Sequence, residues 1–358
     1  MITISVCMIV KNEQQTLAKI LECAKNFADE IIVVDTGSTD NTKQIAKIYT
    51  NKVYDFVWCD DFSKARNFSF SKATCDYQMW LDADDYISQS EINKIIDLKH
   101  KDKHSDVYMF KYAIAFDENG SPTFEYYRER LLRRSINFKW QGFIHEAISP
   151  SGKISYQDIT IIHKKEKTSD PTRNLTIFEN AIKNNICLST RELYYYAREL
   201  FYNHQYFKCI QTLKNYLDQN DTFTPNIQGA YILLSQCYVL ENNIEFAKHC
   251  LFECIKKFEP TPEICFNLAN IYQNLNDTNQ AIFWNRCAIM AKENTLGFVQ
   301  KQYKTLFPYL ELTKLYFSIG EPLTAYTYHK LAEKTNPKHP SVIFNKDFFE
   351  RYFSINKQ

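Results

Sequence analysis

Three features are missing from this sequence, and each absence excludes a class of protein. Its 43 Lys and Arg residues balance 42 Asp and Glu residues, so the net charge of +1 gives no global field to attract nucleic acid or anionic lipid. No segment approaches the roughly 18 consecutive apolar residues of a membrane-spanning helix. The eleven cysteines are scattered singly, without a C-x-x-C pair. We therefore expect a cytoplasmic protein with reduced thiols, no nucleic-acid partner and no stable membrane insertion.

The length and the pattern of the N-terminal half favour two domains, the first of them α/β. A chain of 358 residues exceeds what one hydrophobic core usually organises. Residues 1–165 alternate short apolar runs with amphipathic helical patterns, which predicts a mostly parallel sheet with helices on its faces. Ligands of such sheets bind beyond the carboxyl ends of the strands. The polar clusters 11–13, 35–40 and 82–85 all follow predicted strands, so we expect them to converge on one edge of the sheet.

The C-terminal half reads as helices and contains a repeated pattern. Each of four segments begins and ends, twelve residues apart, with a small residue, Thr or Cys. The fourth residue of each segment is Leu or Tyr. Units of about 34 residues with this pattern resemble tetratricopeptide repeats, in which each helix pair buries its face on the next. The alternative is a plain helical bundle. We place an α/β domain at 1–168 and a helical repeat domain at 169–358; the four segments are 197–209, 235–247, 269–281 and 313–325.

An acidic cluster follows the apolar run that ends at Trp80. Asp82, Asp84 and Asp85 stand there although acidic residues are depleted from strands and costly to bury. Because Asp82 and Asp84 are two apart, their side chains fall on one side of an extended chain. Two such carboxylates form a hard-oxygen site for Mg²⁺ or Mn²⁺, which can neutralise a diphosphate leaving group. The alternative is a solvated turn that caps a helix.

Several motifs around this cluster resemble those of family-2 glycosyltransferases of the GT-A fold. The opening VCMIVKNE and the later EIIVVDTGSTDNT are similar to the nucleotide-binding start of that family. The resemblance is closest to the branch that contains lipopolysaccharide-core glucosyltransferases and the S-glycosyltransferases of antimicrobial peptides (glycocin glycosyltransferases). It implies a Rossmann-like GT-A domain across residues 1–165 and transfer of a hexose from a UDP-sugar. The motifs of the branch are FSKARN (62–67), WLDADD (80–85), WQGFIHEA (140–147) and IIHKK (161–165).

The resemblance also implies a binding site for the UDP-sugar. The backbone at Ile9 and Val10 should border the nucleobase and ribose, and Asp35 should hold the uracil or ribose unless it only forms a turn. Arg66 is a permanently charged donor fork suited to the diphosphate or a uracil carbonyl; its alternative is a surface ion pair with Asp60 or Asp61. The predicted donor-binding residues are Ile9, Val10, Glu13, Asp35, Ala65, Arg66, Asp82, Ala83, Arg130, Arg133 and Trp140.

The predicted metal ligands are Asp84 first, then His163, with Asp82 binding the ribose or the metal through water. Arg130 and Arg133 could close over the diphosphate or could equally belong to a solvated strand face. Trp140 and Gly142 would form the acceptor-side wall, where Trp140 could stack on the sugar.

Acceptor activation is assigned to the pair His145 and Glu146. An inverting transfer needs one group to take the acceptor proton, and a carboxylate or imidazole within hydrogen-bond reach does this. We favour Glu146 as the base, with His145 orienting it or taking its place.

Three functions are compatible with these residues. The favoured one transfers glucose or N-acetylglucosamine, with a divalent cation, to a Cys or Ser of a ribosomally made antimicrobial precursor peptide. The second acts on lipopolysaccharide or another cell-envelope glycan. The third is a scaffold of repeats without catalysis, against which the intact Asp-x-Asp, Arg66 and His-Glu motifs argue. The helical repeats would supply a surface for the peptide or for a homodimer.

Overall fold

A computed structural model of the chain describes residues 1–101, 104–116, 122–164, 170–219, 221–293 and 300–355. The chain divides into two compact units, Met1–Leu188 and Ser189–Gln358. The domain boundary predicted between residues 168 and 169 lies outside the described residues. None of the helices in these ranges has the length and apolarity needed to cross a bilayer.

The first unit is an eight-stranded sheet with helices. Strands β1, β2, β3 and β4 are parallel to one another, and β6 is parallel to β8, whereas β7 is antiparallel to β4 and β6, and β5 is antiparallel to β8. The sheet is therefore mixed, and the predicted mostly parallel arrangement holds for its first half. Its spatial order is β3-β2-β1-β4-β7-β6-β8-β5. The elements are β1 (Ile4–Val10), α1 (Leu17–Lys25), β2 (Glu30–Asp35), α2 (Thr42–Tyr49), β3 (Val53–Asp55), α3 (Phe62–Ser71), β4 (Tyr77–Trp80), β5 (Asp85–Tyr86), α4 (Gln89–Lys101), β6 (Val107–Phe116), β7 (Pro122–Arg133), β8 (Ile154–His163) and α5 (Arg173–Lys183).

The central strands are buried on both faces, which is why they read as continuous apolar runs. Every residue of β2 is buried, and all but one of β1. Val10 pairs with Asp35, and Cys7 pairs with Trp80, so the carboxyl ends of β1, β2 and β4 meet at one edge of the sheet. The polar clusters that follow these strands converge there, as the sequence predicts.

At the opposite edge, the carboxylate of Glu30 ties together three segments. It accepts hydrogen bonds from the backbone and the hydroxyl of Thr74, both at 2.9 Å, and from the hydroxyl of Ser5. Lys52 forms an ion pair with it. Burial raises the pKa of Glu30, but Lys52, Ser5 and Thr74 outweigh burial and lower the pKa to about 2. The ionised carboxylate therefore stabilises the fold.

The second unit contains nine helices among the residues that the structure describes, and eight of them form four consecutive pairs. Helices within each pair pack on each other, and neighbouring pairs pack on one another. This stack agrees with the predicted tetratricopeptide-like repeats. The pairs are α6 (Thr190–Tyr202) with α7 (Tyr206–Leu217), α8 (Thr224–Leu240) with α9 (Ile244–Lys257), α10 (Pro262–Asn274) with α11 (Thr278–Met290), and α12 (Leu306–Ser318) with α13 (Pro322–Thr335); α14 (Pro340–Ile355) follows.

The repeated positions of the sequence have a common structural cause. The first and last residues of the four repeated segments, eight in all, are buried, which lets the two helices of a pair approach closely. Seven residues after the first position, each pair turns through a residue in the left-handed region: His204, Asn242, Asn276 and Gly320, with φ between 56° and 81°. The next backbone N–H bonds back to the carbonyl of the fourth-position residue, at 2.7 to 2.9 Å, which satisfies the helix end.

Glu30→Gln tests whether the ionised carboxylate of Glu30 stabilises the sheet of the first unit. At pH 7 the free energy of unfolding should fall by about 2 kcal/mol, because the amide cannot accept the same set of charged and neutral donors. The pKa of Glu30 is lower in the folded chain than its ordinary value of 4.5, so its contribution is complete above pH 4.5 and is lost as the pH falls toward 2. Urea titrations should therefore show the two proteins converging in acid. Glu22→Gln, at an exposed position of α1, is the matched control; equal losses in both variants would contradict the prediction.

Candidate functional site

The ends of β1 and β2 place Ile9, Val10 and Asp35 side by side. Oδ1 of Asp35 accepts hydrogen bonds from the backbone N–H of Gly37 and of Ser38, both at 2.9 Å, so Asp35 does form the turn that was its alternative reading. Its Oδ2 is buried and has no hydrogen-bond partner among the described residues. A buried acceptor without a partner is costly, so this atom is a candidate acceptor for a ligand N–H or O–H.

Three other predicted donor residues have structural surroundings that limit what they can contribute. The carboxylate of Glu13 accepts a hydrogen bond from the hydroxyl of Thr16 at 2.8 Å, just before α1. Ala65 and Ala83 are both buried and carry no polar side-chain group. Any hydrogen bond from these two alanines to a nucleotide would come from the backbone.

Arg66 occupies the centre of the site. It lies on α3, whose N-cap Asp61 accepts the backbone N–H of Lys64 at 3.0 Å. Its Nη2 is 2.9 Å from Oδ1 of Asp82, and its Nε is 2.6 Å from Oε1 of Glu146. Burial lowers the pKa of Arg66, but the two carboxylates outweigh it and raise the pKa above its ordinary value. The surface pair with Asp60 or Asp61 is therefore not what this arginine makes.

Two indole rings enclose the same guanidinium. Its Cζ lies 5.1 Å from the ring centre of Trp80 and 4.9 Å from that of Trp140. Trp140 is only 2% exposed and also packs edge-to-face on Trp80, at 5.3 Å. The prediction that Trp140 stacks on the sugar does not agree with this placement, because its ring is already covered by the arginine and by the other indole. Gly142 follows in the same loop, with φ of 97°.

Arg130 is a second correction, since its side chain is fully buried instead of closing over a diphosphate. It forms an ion pair at 3.1 Å with Asp85, whose side chain is also fully buried, and it lies 3.5 Å from the ring centre of Trp80. The physical reason is a β-bulge: Tyr108 pairs with Leu131 and the next residue of β6 with Glu129, so Arg130 has no partner across the strands.

Arg133 lies at the other end of β7. It pairs with Tyr77, the first residue of β4, whereas Asp82 follows the last. Its Nε is 3.1 Å from Oδ1 of Asp106. Because β4 and β7 are antiparallel, the four residues from Gln78 to Leu81 separate the partner of Arg133 from Asp82, so the structure places Arg133 away from the acidic cluster where it was predicted to close over a diphosphate.

Asp85 organises the acidic turn. Its Oδ1 accepts the hydroxyl of Tyr112 at 2.8 Å, and its Oδ2 accepts both Arg130 and the backbone N–H of Asp82, at 3.1 and 3.0 Å. Burial raises the pKa of Asp82, but Arg66 and Arg130 outweigh burial and lower it. Asp82 is thus held as a carboxylate that faces Arg66.

Asp84 and His163 face one another on the adjacent side of this turn. Oxygen and nitrogen atoms of Asp84, Asp85 and His163 lie within 4.8 Å of one another. Nδ1 of His163 is 3.4 Å from Oδ1 of Asp84, is buried, and has no hydrogen-bond partner in the part of the chain that the structure describes. Burial, together with Asp82 and Asp85, raises the pKa of Asp84 to about 6, although His163 opposes this.

This donor set fits a divalent cation. A carboxylate and an imidazole suit first-row ions such as Mn²⁺. The positive charge of the ion would offset the repulsion between the neighbouring carboxylates. Both oxygens of Asp85 already have partners, so Asp84 and His163 are the better ligands. Asp85 was recognised as part of the acidic cluster but was assigned no role from the sequence; Asp82 faces Arg66 instead.

Glu146 and His145 lie in a loop closed by two backbone hydrogen bonds between Gln141 and Ala147, at 3.0 and 3.1 Å. His145 has φ of 52°, in the left-handed region that few residues other than Gly, Asn, Asp or His adopt. The carboxylate of Glu146 is only 11% exposed, and its partner is Arg66. Arg66 therefore connects this loop to the acidic turn.

Comparison with known proteins agrees with this architecture. Residues 5–169 match the model of glycosyl transferase family 2. A TPR repeat-containing protein of Synechococcus elongatus is 32% identical over 155 residues, which are 42% of this chain and 36% of that protein. The SPbeta prophage-derived glycosyltransferase SunS of Bacillus subtilis is 33% identical over 154 residues, 40% of this chain and 34% of that one. The chain thus spans about a third of the length of these relatives.

A solved structure of a thermophilic TPR protein of Thermus thermophilus covers 49% of this chain and 88% of that chain, at 18% identity and a TM-score of 0.37. The family match confirms the resemblance of the N-terminal unit to family-2 glycosyltransferases. A tetratricopeptide-like helical region follows it.

Asp85→Asn should destabilise the chain, whereas Asp84→Asn should not. Removing the charge of Asp85 leaves Arg130 buried without its partner, so the free energy of unfolding at pH 7 should fall by about 3 kcal/mol. Removing the charge of Asp84 relieves repulsion from Asp82 and Asp85, so stability should stay the same or rise. Urea unfolding of both isosteric variants, without divalent metal, measures this. A similar loss in the two would mean that the buried pair does not fix the turn.

Proposed function

We propose that this chain is an inverting glycosyltransferase that moves a hexose from a UDP-sugar to a Cys or Ser side chain of an antimicrobial precursor peptide. The observation that carries the proposal is the meeting of Arg66, Asp82 and Glu146 beside the Asp84–His163 pair, within a domain that matches glycosyl transferase family 2.

The donor would bind at the carboxyl ends of β1 and β2. The backbone at Ile9 and Val10, paired with Val34 and Asp35, provides an edge for the nucleobase. Oδ2 of Asp35, buried and without a described partner, would accept a hydrogen bond from the uracil or ribose. Asp84 and His163 would hold a divalent cation, which when bound neutralises charge on the departing diphosphate.

Glu146 is the proposed base. Its carboxylate is held by Arg66 at 2.6 Å, so its orientation is fixed before an acceptor arrives. It would take the acceptor proton as the nucleophile attacks the anomeric carbon from the side opposite the diphosphate. A Cys acceptor makes a smaller demand on the base than a Ser acceptor, because part of a thiol is already ionised near neutral pH. His145 would orient Glu146.

The peptide acceptor rests on the motif resemblance to antimicrobial-peptide S-glycosyltransferases and on the stack of helix pairs, a form that often offers a surface to peptides. The same surface could instead join two copies of the chain. A cell-envelope glycan is the second candidate acceptor, because the same motifs also occur in lipopolysaccharide-core glucosyltransferases.

Mass spectrometry of purified protein incubated with UDP-sugars, Mg²⁺ or Mn²⁺, and Cys- or Ser-containing precursor peptides tests the proposal. Addition of one hexose or N-acetylhexosamine mass to the peptide, according to the UDP-sugar supplied, with release of UDP, is the expected result. Transfer to a glycan but not to any peptide would support the second candidate. No binding of UDP-sugar and no release of UDP under any of these conditions would favour a scaffold without catalysis.

Asp84→Ala should abolish the effect of the metal. Turnover should fall by at least about 100-fold, because a charged ligand is lost, while the far-UV spectrum stays the same. UDP release is measured with Mn²⁺ and again with chelator. Asp97→Ala, at an exposed position of α4, is the control. Near-wild-type turnover of Asp84→Ala, insensitive to chelator, would remove this aspartate from the metal site.

Glu146→Gln should reduce transfer by roughly 10²–10⁴-fold with little change in UDP affinity, since the side chain keeps its size and loses its basicity. With a Cys acceptor the deficit should shrink as the pH rises toward about 8.5, where the thiol ionises unaided. With the matching Ser peptide the deficit should stay constant. Normal transfer to both peptides by Glu146→Gln, together with an inactive His145→Ala, would assign the base to His145.

A further inference from the structure

One side chain of α3, Asn67, holds the backbone of the loop that carries Glu146. Its Nδ2 donates a hydrogen bond to the carbonyl of Trp140 at 3.0 Å, and its Oδ1 accepts one from the backbone N–H of the same residue at 2.9 Å. A single amide side chain therefore satisfies both backbone groups of Trp140, as a neighbouring strand would.

The rest of the loop needs such a support. Gly142 and His145 have φ of 97° and 52°, and a left-handed residue other than glycine costs free energy that its surroundings must offset. The backbone N–H of Phe62, at the start of α3, donates to the carbonyl of Phe143 at 2.9 Å. Helix α3 thus contacts the backbone of the loop at two residues, Trp140 and Phe143.

Helix α3 also binds the carboxylate of Glu146, the proposed base of the loop. Arg66, the residue before Asn67, places its Nε 2.6 Å from Glu146. Consecutive residues of α3 therefore hold the loop at Trp140 and at Glu146. If the first contact is lost, the loop can shift while Arg66 still attracts the carboxylate, and the angle at which Glu146 meets an acceptor changes.

We propose that Asn67 is a positioning residue, which fixes the loop 140–147 through the backbone of Trp140 and so sets the orientation of Glu146. The proposal rests on the function proposed above for Glu146. Asn67 acts through the loop, because both hydrogen bonds of its side chain go to the backbone of Trp140 and neither goes to Glu146 or to the ends of β1 and β2.

Hydrogen exchange tests the contact independently of any activity. In Asn67→Leu, which loses both hydrogen bonds, and in Asn67→Asp, which loses the donated one, peptides covering 139–147 should exchange faster than in the wild type. Peptides covering β1 and β2 should be unchanged. Ser71→Ala, at an exposed position of the same helix, is the matched control. Unchanged exchange in 139–147 for both Asn67 variants would overturn the proposal, as would equal acceleration in all peptides.

Kinetics test the consequence. With UDP-glucose, UDP-N-acetylglucosamine and Mn²⁺, and water as the acceptor, kcat for UDP release should fall about 10- to 100-fold in both Asn67 variants, because small misplacements of a reacting group are costly. The Kd for UDP should stay within about threefold, since the donor pocket is untouched. A parallel loss of UDP affinity would overturn the positioning role.

A double-mutant comparison decides whether Asn67 acts through Glu146. Adding Asn67→Asp to Glu146→Gln should lower kcat by less than about twofold, because the group that Asn67 positions is already disabled. Independent, multiplying losses would show that Asn67 acts on something else and would overturn the proposal. If the wild type releases no UDP from either sugar nucleotide, the proposed function fails, and hydrogen exchange alone decides whether Asn67 fixes the loop.

Discussion

The buried ion pair between Arg130 and Asp85 is the constraint on which the site depends. Desolvating two charges is expensive, and such a pair adds little net stability, so its effect is on conformation. Because the carboxylate of Asp85 also binds the backbone N–H of Asp82 and the hydroxyl of Tyr112, it holds the turn after β4 in one shape. In that shape Asp82 faces Arg66 while Asp84 faces His163. One strand end thereby serves both the arginine and the candidate metal ligands.

Those parts of the fold that depend on neighbours in the sequence could be predicted. Continuous apolar runs mark strands buried on both faces, and parallel strands bring their carboxyl ends together, so the meeting of Val10, Asp35 and Asp82 at one edge follows from the order of elements. In the helical unit, small residues recur where two helices approach closely. Their spacing identifies the pairs because the left-handed turn lies at a fixed distance from each.

Contacts between distant segments could not be predicted in the same way. Arg66 and Glu146 are 80 residues apart, and the neighbouring sequence offered only Asp60 or Asp61 as an ion-pair partner of Arg66. Arg130 and Arg133 could not be told apart from the sequence, but a β-bulge at Arg130 accompanies the burial of its side chain. Trp140 was predicted to stack on a sugar. An aromatic ring is equally suited to packing on an arginine, and the sequence does not distinguish the two roles. In each case the residue's partner lies in a distant segment and is not determined by its neighbours in the sequence.

The left-handed turn within each helix pair has a consequence for how such a chain changes in evolution. Since each hairpin closes on its own carbonyl and its own small residues, its geometry does not depend on how many residues separate it from the next. The third and fourth repeats start 44 residues apart and the second and third only 34, yet both contain the same turn. The distance between consecutive pairs can therefore vary while the turn inside each pair stays the same.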